Sequence, residues 1–284
     1  MTAVLAPAAA PRRASRVKTR GAWFLPLALG VGLAFLYGPI VLLVIYSFNE
    51  SQLVTVWTGF SLKWYASLAR NEQVLNAAKL SLGIAFTSAT GAVILGTIAG
   101  FVLSRYKRFV GRTLFAGMIS APLVMPEVIM GLSMLLMFVG LEQVIGWPNG
   151  RGVETITIAH ITFTMAFVAV IVQARLADMD ASLEEAAMDL GARPAQVFFL
   201  ITLPLIAPAL VAGWLLAFSL SLDDLVMTAF VSGPGSSTLP LVIFSKVRLG
   251  LSPEINALAT IIVAVVSTAT LLAAIYTNRR ATRI

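Results

Sequence analysis

Cysteine is absent from the 284 residues of this chain, so disulfide bonds and thiolate metal sites are excluded. Charged residues are scarce as well, at 12% of the sequence, where a soluble domain usually has about 25%. Apolar residues make up 58%, and a water-soluble fold of this length could not hide so much apolar surface. The sequence also lacks a G-x-x-x-x-G-K-S/T phosphate loop. These absences exclude the soluble enzyme classes and ATP hydrolysis by this chain.

The apolar residues are gathered into runs that are long enough to cross a bilayer. A helix needs about 20 residues to span about 30 Å of hydrocarbon. Six spans are predicted, and only the third contains a charge, Glu127: 21–49, 80–104, 113–141, 155–174, 194–222 and 255–278. A seventh apolar run, 225–245, has the sequence S-G-P-G-S-S at its centre. A spanning helix broken there would leave backbone groups unpaired in lipid, so we interpret this run as a loop or re-entrant segment.

Basic residues predict the orientation of these spans. The positive-inside rule keeps both basic tails in the cytoplasm. With six spans, 14 of the 20 basic residues then lie on the inner side: Arg12, Arg13, Arg16, Lys18, Arg20, Arg105, Lys107, Arg108, Arg112, Arg175, Arg193, Arg279, Arg280 and Arg283. The sequence therefore predicts an all-α integral membrane protein with six transmembrane helices and both termini cytoplasmic. Its parts are a basic tail (1–20), an accessory first helix (21–49) and a core with five transmembrane helices (76–278).

The loop between the fourth and fifth predicted spans is acidic, which runs against the inside bias. It contains a short helical pattern near 182–191, which Ser182 is expected to cap and Gly191 to end, while Pro194 prevents its continuation. Apolar residues recur on one face of this predicted helix, at a spacing of three to four residues: Leu183, Ala187 and Leu190. That face either packs on the membrane surface or is covered by a partner.

The same loop contains Glu185-Ala186-Ala187, then Gly191 after three residues and Ile201-x-Leu203-Pro204 after nine more. This pattern resembles the EAA loop of binding-protein-dependent ABC importer permeases. The resemblance implies a type I ABC importer permease fold, in which the short helix is a coupling helix that docks into a groove of an ATPase subunit. It assigns ATPase coupling to Glu184, Glu185, Ala186, Ala187, Asp189, Gly191, Ile201, Leu203 and Pro204.

The resemblance also implies partners and a location. The partners would be an ABC ATPase homodimer, a homologous second permease subunit and a periplasmic binding protein, in the inner membrane of a bacterium. This chain would not be an enzyme and would bind no cofactor, because the partner ATPase holds ATP and Mg. Membrane lipid is expected as a further partner and nucleic acid is not, since topology explains the basic tails.

A second set of segments lies towards the C-terminus. It comprises L-S-L-D-D-L at 220–225, F-V-S-G-P-G at 230–235, T-L-P at 238–240 and S-P-E-I-N-A-L-A-T at 252–260. These segments resemble the polyamine permeases, in particular the second permease subunit of bacterial putrescine and spermidine/putrescine importers. The resemblance implies a polyamine as cargo, and the wording of the loops favours putrescine over spermidine.

Acidic residues near the fifth span agree with a cationic cargo. Asp223 and Asp224 lie where this span meets the outer boundary, and a carboxylate within a membrane is costly. Adjacent helical residues point about 100° apart, so at most one of the two faces a narrow pathway squarely. Trp214 and Phe218 are one turn apart and could offer ring faces to an ammonium group. The alternatives are an interfacial charge or helix stop for the aspartates and plain packing for the rings.

Glu127 is the only carboxylate within a predicted span and is a third candidate for the substrate pathway. An unbroken third span would place it in mid-membrane, whereas a break at Pro126 would leave it near the cytoplasmic entrance. It could equally accept backbone N–H groups that Pro126 frees. We interpret His160, in the fourth span, as a packed and hydrogen-bonded histidine and assign it no role.

Small residues form a stripe on the second span: Ser88, Ala92, Gly96 and Gly100. Such stripes allow close helix contact, either within the chain or with a second subunit. The alternatives to a polyamine permease are an ABC permease for spermidine, ferric iron, a sugar or an oxyanion, an ion-driven transporter or channel, and an assembly factor. An oxyanion pathway should contain basic residues, and no predicted span holds Lys or Arg.

Overall fold

A computed structural model describes residues 24–53, 56–250 and 252–281 of the chain, and these are overwhelmingly helical. The helices, in chain order, are α1 (Phe24–Tyr46), α2 (Lys63–Leu68), α3 (Glu72–Arg105), α4 (Arg112–Val124), α5 (Glu127–Ile145), α6 (Val153–Ala177), α7 (Ser182–Asp189), α8 (Pro194–Val197), a π-helical turn (Phe198–Thr202), α9 (Leu203–Leu222), α10 (Val226–Val231), α11 (Leu239–Leu249) and α12 (Pro253–Ala281).

Two compact units make up the chain. One is Lys63–Ile255, and the other combines Met1–Leu62 with Asn256–Ile284. In the second unit, α1 is followed by a loop in which Asn49 and Phe60 form an isolated antiparallel bridge. That bridge is the only β pairing within the described part of the chain. The first unit contains every residue for which coupling or cargo contact is predicted.

Three long helices, α3, α6 and α9, form the centre of the first unit. The small-residue stripe of α3 packs against α6, within the chain. A Cβ added to Gly96 would lie 2.7 Å from Cβ of Val168 and 2.8 Å from the carbonyl oxygen of Met165. At Gly100 an added Cβ would lie 2.7 Å from the carbonyl oxygen of Ala169. The stripe therefore lets two backbones approach more closely than side chains would permit.

The predicted third span is two helices rather than one. α4 ends at Val124 and α5 begins at Glu127, with Met125 and Pro126 between them. Pro126 has no N–H to give to the preceding turn and disfavours helical geometry in the residue before it. The sequence allowed either an unbroken third span or a break at Pro126, and the structure has the break.

The seventh apolar run is not a spanning helix. α10 and α11 replace it, with the S-G-P-G-S-S turn between them. A Cβ on Gly233 would overlap the carbonyl of Arg151, so the turn lies directly against the loop that precedes α6. The Leu239 N–H donates to the Ser81 hydroxyl on α3 at 2.8 Å, which ties the start of α11 to the core.

Among the residues that the structure describes, five helical segments are long and apolar enough to cross a membrane: Phe24–Tyr46, Glu72–Arg105, Glu127–Ile145, Val153–Ala177 and Pro194–Leu222. α12 coincides with the predicted sixth span, and its segment Pro253–Thr268 is apolar. The prediction of a membrane protein built from helices is confirmed. The number of six spans and the cytoplasmic position of both termini stay predictions, and residues 21–23 and 282–284 lie outside the described ranges.

We expect Gly96→Ala to destabilise the protein, because its Cβ must push α3 away from the backbone of α6. Overpacking of this kind costs about 1–3 kcal/mol, which lowers the melting temperature by at least about 3 °C. Gly83→Ala on the same helix is the matched control, because an added Cβ there meets nothing within 4 Å. Equal melting temperatures for the two purified variants would contradict the close contact of α3 with α6.

Candidate functional site

The predicted coupling helix is present as α7, and its first turn differs from the prediction. Ser182 is already the first helical residue, so it is not the N-cap. The N-cap position is Ala181, whose side chain makes no capping hydrogen bond. Instead the Ser182 N–H donates to the Asp180 carboxylate at 3.0 Å. Hydrogen bonds from the backbone and side chain of Ser182 lower the pKa of the Asp180 carboxyl. The turn before α7 therefore depends on Asp180.

The end of α7 is as the sequence predicts. Gly191 has φ +87°, a left-handed conformation that glycine adopts without steric cost. Its N–H donates to the Met188 carbonyl at 2.9 Å, and the Ala192 N–H donates to the Ala187 carbonyl at 3.1 Å. This is a Schellman ending. Pro194 then begins α8, where its missing N–H is no loss.

One carboxylate of α7 faces the body of the protein. Glu184 forms a salt bridge with Arg105 at the end of α3, with 2.9 Å between Nε and Oε2. The Thr202 hydroxyl donates to the same carboxylate at 2.7 Å from the π-helical turn. Glu184 therefore ties α7 to two other helical segments of the core. Among the described residues predicted for ATPase coupling, Glu184 is the one whose carboxylate pairs with other side chains of this chain.

The opposite face of α7 is exposed and partly apolar. Leu183 is 47% exposed and Leu190, just beyond the helix, is 90% exposed. Ala186, rather than Ala187, lies between them on that face, since Ala187 is half-buried. The other predicted coupling residues divide by location: Glu185 and Asp189 are exposed on α7, Ile201 lies in the π-helical turn, and Leu203 and Pro204 begin α9.

The two adjacent aspartates have different surroundings. Asp223 follows the last residue of α9, and its side chain is exposed without a partner among the residues that the structure describes. The side chain of Asp224 is 7% exposed. Its carboxylate accepts from the N–H and hydroxyl of Thr228, both at 2.7 Å, and lies 3.1 Å from Nε2 of His160. The Met227 N–H donates to its other oxygen at 3.2 Å.

The predicted aromatic pair is in contact. Trp214 and Phe218 stack with ring centroids 5.2 Å apart and planes 16° apart. Phe86 on α3 contacts Trp214 edge to face at 5.5 Å, and the Trp214 N–H donates to Thr90 at 3.2 Å. These contacts fix the indole between α3 and α9. Its use by a cation stays a prediction.

Glu127 is the first residue of α5, and its side chain is exposed. Across the described ranges its carboxylate has neither a hydrogen-bond nor an ion-pair partner. Glu127 does not accept the backbone N–H groups that follow the break, as the sequence had suggested it could. The N–H groups of Ile129 and Met130 instead donate to the Pro126 carbonyl. A free carboxylate at a helix N-terminus is favoured by the helix dipole.

Sequence reasoning missed several polar partners. It counted Arg105 only as a topological charge and gave no role to His160, Ser221, Thr228 or Thr202. His160 is packed and hydrogen-bonded as expected, at 2% exposure. One signal was available: a lone histidine in a charge-free run, on a span adjacent to one that ends in two aspartates.

Residues 92–283 match the family described as binding-protein-dependent transport system inner membrane component. The chain belongs to this family and is a multi-pass component of the bacterial inner membrane. It is 59% identical over 247 residues to the putrescine transport system permease protein PotI of Escherichia coli K12, covering 87% of this chain and 88% of that protein. It is 43% identical over 229 residues to the spermidine/putrescine transport system permease protein PotC of the same strain, covering 81% and 84%.

Solved structures share the fold. A chain of a bacterial ABC transporter that imports the acidic polysaccharide alginate aligns with TM-score 0.70 at 17% identity, covering 93% of this chain and 98% of that one. The MetNI methionine ABC transporter aligns with TM-score 0.58 at 16% identity, covering 72% and 94%. The predicted family and fold class are therefore confirmed. The alternative hypotheses of an ion-driven transporter, a channel or an assembly factor are wrong, because the chain belongs to the ABC permease family.

A double-mutant cycle tests whether Glu184 ties α7 to α3. We expect Arg105→Gln and Glu184→Gln to be coupled by about 1 kcal/mol in thermal unfolding, because each removes the same partly exposed ion pair. Arg105→Gln with Glu185→Gln is the control cycle, since Glu185 lies on the exposed side of α7. Strictly additive effects on stability in the first cycle would contradict the proposal that this ion pair ties α7 to α3.

Proposed function

We propose that this chain is the permease subunit of an ATP-driven polyamine importer, that its cargo is putrescine, and that it forms half of a heterodimeric pore. The observation that supports this most strongly is the 59% identity to a putrescine permease over 87% of the chain. Spermidine is the second candidate cargo, favoured by the 43% identity to a spermidine/putrescine permease. Ferric iron, sugars and oxyanions have no comparable support.

The proposed source of energy lies outside the chain. An ATPase homodimer would bind ATP and Mg and dock on the exposed face of α7, where Leu183, Ala186 and Leu190 have no partner of their own. The chain itself would bind no cofactor and catalyse no reaction. Because Glu184 links α7 to Arg105 and Thr202, a movement of α7 would pull on both α3 and α9. That is a rigid-body route from ATP binding to a change in pore access.

The proposed path for cargo carries negative charge and aromatic rings. Asp223 and Glu127 are exposed carboxylates that pair with no other residue of the described ranges, and either could exchange the hydration shell of an ammonium group for a charge pair. Trp214 and Phe218 add a stacked aromatic surface. A second permease subunit would complete the pore, and a periplasmic binding protein would deliver the polyamine. Lipid would surround the outward apolar faces.

Uptake of labelled putrescine tests the cargo. The chain and its sister permease, ATPase and binding protein should restore uptake in cells that lack polyamine importers. An excess of unlabelled spermidine should compete less well than unlabelled putrescine. Saturable uptake of spermidine with no uptake of putrescine would reverse the choice of cargo, and uptake of neither would refute the polyamine assignment.

Charge reversal at Glu185 tests the docking surface. We expect Glu185→Lys to abolish uptake and to reduce the amount of ATPase that copurifies with the permease, because it reverses the charge at an exposed position of α7 next to Ala186. Glu72→Lys is the control for attachment, since Glu72 is an exposed carboxylate at the far end of α3 from Arg105. Undiminished copurification and transport with Glu185→Lys would rule out α7 as the coupling helix.

A further inference from the structure

A buried polar cluster joins three helices of the core. It consists of His160 on α6, Ser221 on α9, Asp224 between α9 and α10, and Thr228 on α10, and we call it the His160 cluster. Nδ1 of His160 lies 2.6 Å from the Ser221 hydroxyl, and Nε2 lies 3.1 Å from both Asp224 and Thr228. His160, Ser221 and Thr228 are 2%, 6% and 0% exposed. Polar groups buried like this are stable only when paired with one another.

Asp224 is engaged mainly by groups of the chain itself. Its Oδ2 lies within hydrogen-bond distance of the Thr228 N–H, the Thr228 hydroxyl and Nε2 of His160, and its Oδ1 accepts from the Met227 N–H. Because the side chain is also only 7% exposed, Asp224 is poorly placed to meet a cation. Asp223, one residue earlier, is exposed and accepts from no other side chain in the described ranges.

The cluster determines where α10 begins. The far end of α10 is held separately, because Thr155 donates to the Val231 carbonyl at 2.7 Å and Arg151 donates to the Phe230 carbonyl at 3.0 Å. At the start of α10, the hydrogen bonds from Met227 and Thr228 to Asp224 are local and by themselves fix only that turn. His160 is the group that connects this turn to α6, and through Ser221 to the last turn of α9. It thereby sets the path of the three residues, 223–225, that link α9 to α10.

We propose that His160 is a positioning residue for transport: by holding Asp224, it fixes the junction of α9 and α10 and orients the neighbouring Asp223 towards the cargo. The adjacent aspartates then have separate roles, Asp224 as an internal anchor and Asp223 as the carboxylate that meets the ammonium group. This inference rests on the function proposed above, since the cargo must be cationic for Asp223 to attract it.

Four variants separate these roles. His160→Leu removes both bonds of the imidazole, whereas His160→Gln keeps an amide N–H for Asp224 and an amide oxygen for Ser221. Asp224→Asn turns an NH2 group towards donors, and Asp223→Asn removes only the exposed charge. Thr162→Val is the matched control on α6, because within the described residues the Thr162 hydroxyl bonds only to the Ile158 carbonyl of its own helix.

Two measurements are made on each variant in the assembled transporter. The first is the KM and maximal rate of putrescine uptake. The second is the distance between spin labels on Ser219→Cys and Ala229→Cys, which are exposed positions on α9 and α10 in a chain that has no cysteine of its own. The second measurement reports the α9–α10 junction without reference to cargo.

We expect His160→Leu and Asp224→Asn to broaden the distance distribution and to raise KM at least tenfold, and His160→Gln to restore both. Asp223→Asn should raise KM equally while the distance stays narrow. Combining it with His160→Leu should raise KM no further. Thr162→Val should match the unmodified protein in both measurements.

An unchanged distance and KM in His160→Leu would overturn the proposal, and so would an unchanged KM in Asp223→Asn. If the unmodified transporter took up no putrescine, the proposed function would fail by itself. The spin-label distances would then still decide whether His160 holds the junction.

Discussion

The close approach of α3 and α6 is the contact on which the rest of the core depends. Gly96 and Gly100 allow the two backbones to meet, and α9 packs against both helices. Every other segment of interest is then attached to one member of this set. α7 is held through Arg105 on α3, α10 through His160 on α6, and α11 through Ser81 on α3. A displacement of the central helices would therefore change the geometry at both the loop that contains α7 and the α9–α10 junction.

One physical rule explains the pairing of the His160 cluster. Lipid offers no hydrogen bonds, so a buried donor or acceptor must find its partner inside the protein. The His160 cluster satisfies this rule within the described core, with Asp224 at its centre. The rule does not apply to Asp223 and Glu127, which are exposed and have no partner in another residue of the described ranges. The unpaired carboxylates are therefore the better candidates for contact with cargo, and the paired one is the better candidate for structure.

Periodicity and charge were sufficient for the large features of the fold. Long apolar runs predicted the apolar helices, although the run 113–141 is divided into α4 and α5, and the S-G-P-G-S-S turn correctly marked a run that is not one helix. Gly191 and Pro194 predicted the end of the coupling helix because their backbone requirements are local. The predicted start of that helix was wrong: Ser182 is not its cap, and the Asp180 carboxylate instead accepts a hydrogen bond from the Ser182 N–H.

The site was less predictable because its contacts are distant in sequence. Nothing near His160 in the chain indicates Asp224, which lies 64 residues away, and nothing near Glu184 indicates Arg105, which lies 79 residues away. Periodicity places residues on a face of a helix, but it cannot say which helix that face meets. The adjacent aspartates were therefore indistinguishable until their neighbours were known. The prediction that Ala187 lies on the exposed apolar face was wrong, because Ala186 lies there instead. α7 is too short for the spacing of its apolar residues to determine how the helix is rotated about its axis.

Reconstitution tests the central claim most directly. Proteoliposomes would contain this chain, its sister permease and the ATPase, with the periplasmic binding protein and labelled putrescine added outside and ATP enclosed within. We predict accumulation of putrescine against its gradient, dependent on hydrolysable ATP and on the binding protein. Accumulation without ATP, or a complete complex that hydrolyses ATP in response to the binding protein and never accumulates putrescine, would contradict this account.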